Sequence, residues 1–94
     1  MKVTFGEEYV AFPVSWYEEL TNNELMVAMS IMALKSNGSA TIRSNILPLS
    51  RCCHRTFVKA IEGLKKKGLV VEGEPVMVSG NLTTTYELVK GGEQ

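Results

Sequence analysis

Hydrophobic positions run along the chain first in weak alternation, then twice at helical spacing, and last as short β-type runs between turn residues. Tyr9-Val10-Ala11-Phe12-Pro13-Val14 alternates weakly and is broken by proline, which predicts an extended stretch or an edge strand. Ser15-Trp16-Tyr17-Glu18 has the spacing of a capping box, with Ser15 as N-cap, and predicts one short helical turn ending near Leu20. A second capping box, Thr21-Asn22-Asn23-Glu24, opens a stronger helix. Leu25, Ala28, Met29, Met32 and Ala33 recur there at helical spacing, with Val27 and Ile31 thickening the stripe, and Ser36-Asn37-Gly38-Ser39 stops it. So apolar a helix is either a central core helix or one with a second face for a partner; its methionines read as packing.

Residues 41–50 are the least regular. Thr41-Ile42-Arg43 can pair as a short strand, and Ser44-Asn45-Ile46-Leu47 begins a short helix that Pro48 keeps from running on. Ser50 or Cys53 then caps the next helix, with serine the better cap because its oxygen accepts a backbone N–H. Beyond it, Cys53, Phe57, Ala60, Ile61 and Leu64 make one apolar face, opposite Arg51, His54, Arg55, Lys59 and Lys66. Gly68 is the expected C-cap, with Lys65, Lys66 and Lys67 complementing the negative end of the helix dipole. Gly63 inside this helix costs about 1 kcal/mol relative to alanine, and the sequence offers no firm account of it beyond room for a close backbone approach. Leu69-Val70-Val71-Glu72 starts a strand and Gly73-Glu74-Pro75 is a bulge or bend. Val76-Met77-Val78, the turn Ser79-Gly80-Asn81 and the run Leu82 to Val89 make a hairpin.

Charge changes this picture more than bulk composition does. The 94 residues, 45% hydrophobic and 21% charged, suit a single folded domain, with a core over about 9–89 and residues 90–94 expected to be a flexible tail. Ten Lys and Arg balance ten Glu, yet residues 43–67 hold seven cations and Glu62 alone, an excess of +6 that the remainder cancels. No apolar run reaches the roughly 18 residues of a membrane span, and the N-terminus lacks the apolar centre of a secretory signal. The only cysteines, Cys52 and Cys53, are adjacent, which disfavours a disulfide and fits a reducing, cytoplasmic compartment. Cys52-Cys53-His54 has no further Cys or His to complete a zinc shell, so no metal is expected. There is no Asp, no nucleophile partner for His54 and no phosphate loop, so neither an enzyme, a cofactor nor a small-molecule ligand is expected.

The stretch from Arg55 to Val70 resembles the recognition helix and first wing strand of the winged helix-turn-helix family. Thr56-Phe57 and the closing Leu64, Gly68, Leu69 and Val70 carry the likeness. Thr85-Tyr86-Glu87-Leu88 is similar to the returning wing strand, and Phe12-Pro13-Val14 through Glu24-Leu25 to the approach to the first helix in phage and plasmid replication proteins. The resemblance implies an α+β fold of about three helices followed by a C-terminal β-hairpin wing. It also implies binding to double-stranded DNA by a recognition helix at about 51–67, in transcription or replication control. Within it, Arg55 is the first choice for a bidentate contact to guanine, and Lys59 suits base or phosphate. Arg51, Arg55 and Lys59 would share one stripe, with His54 beside them. Arg43 suits phosphate, and Thr56 either bonds phosphate or bonds back to its helix. Two features depart from the family: Cys53 stands where a serine cap is common, and Val78 to Thr83 hold no Lys or Arg. These leave a second reading, a winged-helix module for protein docking or dimerisation, with a homodimer through the Met-rich helix at Met26 or Ile31.

Overall fold

In the computed structural model, which describes residues 2–5, 8–11 and 14–89, local signals set most element boundaries. In chain order the elements are β1 (Lys2–Phe5), β2 (Glu8–Ala11), α1 (Val14–Glu19), α2 (Asn22–Ser36), α3 (Arg43–Ser50) and α4 (His54–Lys66). Four short strands follow: β3 (Val70–Glu72), β4 (Val76–Val78), β5 (Asn81–Thr83) and β6 (Tyr86–Leu88). The fold is α+β, with four helices ahead of an antiparallel hairpin, an arrangement compatible with a winged helix.

The expected capping box of α2 forms in full. Thr21 Oγ1 accepts from the Glu24 N–H at 3.2 Å, and Glu24 Oε1 accepts from the Thr21 N–H at 3.0 Å. Both long helices end in the same way. Gly38 and Gly68 adopt φ of 73° and 75°, and the N–H groups of Ser39 and Leu69 reach back to the carbonyls of Leu34 and Leu64. That is the Schellman arrangement, which needs a residue tolerant of the left-handed region.

Four local expectations are corrected. The strand expected over Tyr9–Val14 is β2, which ends at Ala11 and pairs antiparallel with β1, a strand the alternation did not reveal. Val14 instead opens α1, while Phe12 and Pro13 lie outside the described residues, as does the expected tail 90–94. Ser15 therefore sits inside α1 and is not its N-cap. Next, α3 begins at Arg43 and runs through Pro48 to Ser50. Proline is tolerated because the bond it cannot donate would go to the carbonyl of exposed Ser44, and the helix ends two residues later. Finally, the α4 N-cap is Cys53 and not Ser50, whose hydroxyl is engaged with the Leu47 carbonyl and the Cys52 N–H at the end of α3.

The core lies between α2 and the surrounding elements. Trp16 and Leu20, the α2 residues Val27, Ala28, Met29, Ile31, Ala33 and Leu34, then Ile46, Phe57, Ala60, Ile61, Leu64 and Val70 form one buried cluster. Buried residues surround α2 on every side, so it is the central helix. Ile31, at 0% exposure, offers no dimer surface, and Met26 is only partly exposed. The hairpin packs on α4 through Phe57 and Tyr86, whose rings meet edge-on at 5.6 Å between centroids and 81° between planes. Thr41–Ile42 joins its base, with an Ile42–Thr85 bridge and the Tyr86 N–H donating to the Thr41 carbonyl. Ser79 and Gly80, both at positive φ, form the turn, and Asn81 already belongs to the returning strand. Residues 73–75 face 84–85 between the two paired stretches, one extra residue in the first arm, which is the expected bulge.

Candidate nucleic-acid interface

The geometry of the site begins with the turn between α3 and α4. Ser50 closes α3, and Arg51 takes the left-handed conformation (φ 60°, ψ 25°) with its N–H bonded to the Leu47 carbonyl. Cys52 and Cys53 then complete the turn into α4. Arg51 is consequently outside α4, and the expected stripe of Arg51, Arg55 and Lys59 does not exist. The recognition-helix candidate spans His54–Lys66 instead of about 51–67. The stripe α4 does present is Arg55, Val58, Lys59 and Glu62, all exposed at the spacing of one helical face. Its other face carries buried Phe57, Ala60, Ile61 and Leu64, as expected.

Arg43 reaches across from the first turn of α3, and one guanidinium nitrogen lies 3.0 Å from His54 Nδ1. Arginine has no acceptor, so Nδ1 accepts this bond. The pair ties the start of α3 to the start of α4 and places Arg43, Arg51, His54 and Arg55 around one helix end. Arg43, Arg51, His54, Arg55 and Lys59 are all exposed, and Thr56 is half-buried. Among the described residues, the side chains of Arg51, Arg55 and Lys59 have no ion pair or hydrogen bond. No acidic residue occupies the first turn of α4, so its positive dipole end adds to the same field.

The lysines at the other end of α4 are in a different state. Lys65 pairs with Glu72 at 2.7 Å, and this hydrogen bond holds the ammonium pKa above the usual lysine value. Lys67 pairs with Glu24 and also donates to the Glu19 carbonyl at 3.1 Å. Glu24 is 7% exposed, so Lys67 neutralises a buried carboxylate as well as complementing the dipole. Only Lys66 of the three has no such partner among the described residues. Gly63 explains its place here: a methyl group on it would land on Glu24 Oε2 and lie 3.0 Å from the carboxyl carbon.

Cys53 departs from the apolar face assigned to it. It is exposed at the N-cap position and makes no capping bond through sulfur. Its Sγ lies 3.3 Å from Thr56 Oγ1. Hydrogen bonding from the Thr56 hydroxyl, the largest influence, holds the thiol below its ordinary pKa. Cys52 is half-buried, with its thiol directed to the Ser50 carbonyl at 3.6 Å. Cys53 is accordingly expected to alkylate several-fold faster than Cys52 with iodoacetamide at neutral pH, and Thr56→Val to slow it. Peptide mass spectrometry over a time course reads both, and equal rates at the two cysteines would contradict the assignment.

Sequence reasoning did not single out Val58 or the exposed pair Met77 and Leu82, which face each other across β4 and β5. Counting outward from the two-residue turn at Ser79-Gly80 would have found that pair. Among the described residues, no three His, Cys, Asp or Glu side chains group as a metal site, and no helix is long and apolar enough to cross a membrane. The chain matches no family model, no curated protein and no solved structure.

Proposed function

We propose that this chain binds double-stranded DNA with α4 in the major groove, as a cytoplasmic regulator of transcription or replication. The observation that carries this reading is the division of the cations. Two of the three lysines at the C-terminal end of the helix, Lys65 and Lys67, are held by carboxylates, whereas Arg51 in the preceding turn and Arg55 and Lys59 in the first two turns are not. A solvated face would have no need to concentrate unpaired cations where a groove-inserted helix carries its base contacts. Arg55 suits a guanine edge, and Val58 beside it suits a thymine methyl group. Lys59, Arg51 from its turn and Arg43 from α3 reach for phosphates on either side. Glu62 ends the stripe, which limits the inserted part to the first two turns of α4.

Duplex binding over a salt series tests the reading. With three phosphates neutralised by Arg43, Arg51 and Lys59, log affinity should fall with log salt at a slope of about −2.7. Fluorescence anisotropy of short labelled duplexes measures it. Absence of binding at low salt overturns the proposal, and a slope near zero removes the phosphate roles.

A further inference from the structure

The β4–β5 ribbon differs in chemistry from the helix beside it. Residues 68–89 contain Glu72, Glu74 and Glu87 and no Lys, Arg or His. Glu72 is paired to Lys65, while the exposed carboxylates of Glu74 and Glu87 have no partner among the described residues. At the end of the same ribbon, Met77 and Leu82 are 65% and 71% exposed and stand opposite each other across the strands. Among the described residues, β4 and β5 pair only with each other, so each leaves an outer backbone edge open.

We infer that this ribbon is a docking site for an extended segment of another protein that combines apolar and basic side chains. An open edge offers main-chain bonds to an added strand, and the Met77–Leu82 pair offers an apolar anchor. Glu74 lies three residues from Met77, about 10 Å along an extended chain, a span that a four-residue extended segment covers, so a basic side chain of that segment meets the carboxylate directly while an apolar one meets Met77. It therefore favours a cationic partner over phosphate or an acidic surface. A second copy's ribbon carries the same carboxylates and opposes its own approach. Two side chains also fall far short of the roughly 800 Å² per partner that a stable dimer buries. The inference is independent of DNA binding, because the ribbon residues are not those assigned to the groove.

The probe is a short synthetic peptide alternating valine with lysine, with a valine–glutamate peptide as control, added to the full chain and followed by backbone amide shifts. The expected result is saturable binding of the lysine peptide, with shifts centred on 74–85, weakened by salt and absent with the glutamate peptide. Met77→Thr with Leu82→Thr, chosen to retain strand propensity, should weaken binding about tenfold or more. Glu74→Lys leaves the apolar pair in place and should weaken it several-fold, so the inference stays testable if the threonine variant perturbs the hairpin. Lack of saturable binding, shifts centred on α1 or α4, equal binding of the glutamate peptide, or unchanged affinity in both variants would each overturn it. So would a concentration-dependent dimer in light scattering that the threonine variant abolishes, which would make a second copy the occupant. A matching fall in duplex affinity in that variant would assign the ribbon to DNA.

Discussion

Gly63→Ala is expected to destabilise the protein by about 1–2 kcal/mol, and to stabilise it by up to about 1 kcal/mol once Glu24 is also alanine. Alanine is the better helix former by about 1 kcal/mol, so on an exposed helix the substitution would help. Here the added methyl group occupies the position of Glu24 Oε2. A carboxylate at the end of a flexible side chain can usually swing aside, but this one is anchored through Oε1, which takes two bonds, and Oε2 cannot turn away without moving it. It accepts from the Thr21 N–H, completing the α2 capping box, and from Lys67 at the end of α4. Moving it abandons a cap of about 1 kcal/mol and leaves a largely buried carboxylate with a poorer cationic partner. The loss exceeds the propensity gain. In a Glu24→Ala background the obstacle is gone and only the gain remains. Chemical denaturation of the wild type, both single variants and the double variant measures the coupling. Additive effects would mean that Gly63 does not serve to admit Glu24.

That contact also shows what was legible in the chain. Thr21-Asn22-Asn23-Glu24 predicts its own cap because the bonds connect residues three apart, and Gly38 and Gly68 mark their helix ends for the same local reason. Gly63 registers as an anomaly in an otherwise good helix, but its partner stands 39 positions earlier in the chain, and no local rule connects the two. The lysines at 65–67 satisfy the dipole rule, which hid the more specific tasks of Lys65 on Glu72 and Lys67 on Glu24.

The largest misplacement has a similar origin. Serine is the better capping side chain, so Ser50 drew the start of α4 three residues too early and carried Arg51 onto the helix. The structure ends α3 on Ser50 because Arg51 accepts a left-handed backbone, a choice no residue-type rule favours for arginine. Ile31 failed for the opposite reason. A helix apolar all round has no preferred face, and the elements around α2 cover Ile31 completely. β1 was not read at all, since Lys2 to Phe5 holds too few residues for alternation to stand out.

On the proposed DNA-binding reading, the position of Arg51 in the turn and of Arg55 on the helix would separate two kinds of contact. Arg55→Ala should weaken binding to the best duplex drawn from a randomised pool by about 1–3 kcal/mol, roughly fivefold to more than a hundredfold, and relax preference at one base pair. Its salt slope should stay nearly unchanged, because the lost bond is to a base and not to a phosphate. Arg51→Gly should act otherwise. Losing one phosphate contact lowers the magnitude of the slope by about 0.9 and weakens all duplexes alike. The same substitution relieves a side chain at φ 60°, so the protein itself should become more stable by about 0.5–1 kcal/mol. A variant that is more stable yet binds DNA less cannot owe its weaker binding to unfolding. Anisotropy titrations on matched and mismatched duplexes at several salt concentrations, with thermal denaturation of each variant, distinguish these outcomes. If Arg51→Gly alters base preference while Arg55→Ala changes only the slope, α4 does not enter the groove with its Arg55–Lys59 face, and the turn is the reading element.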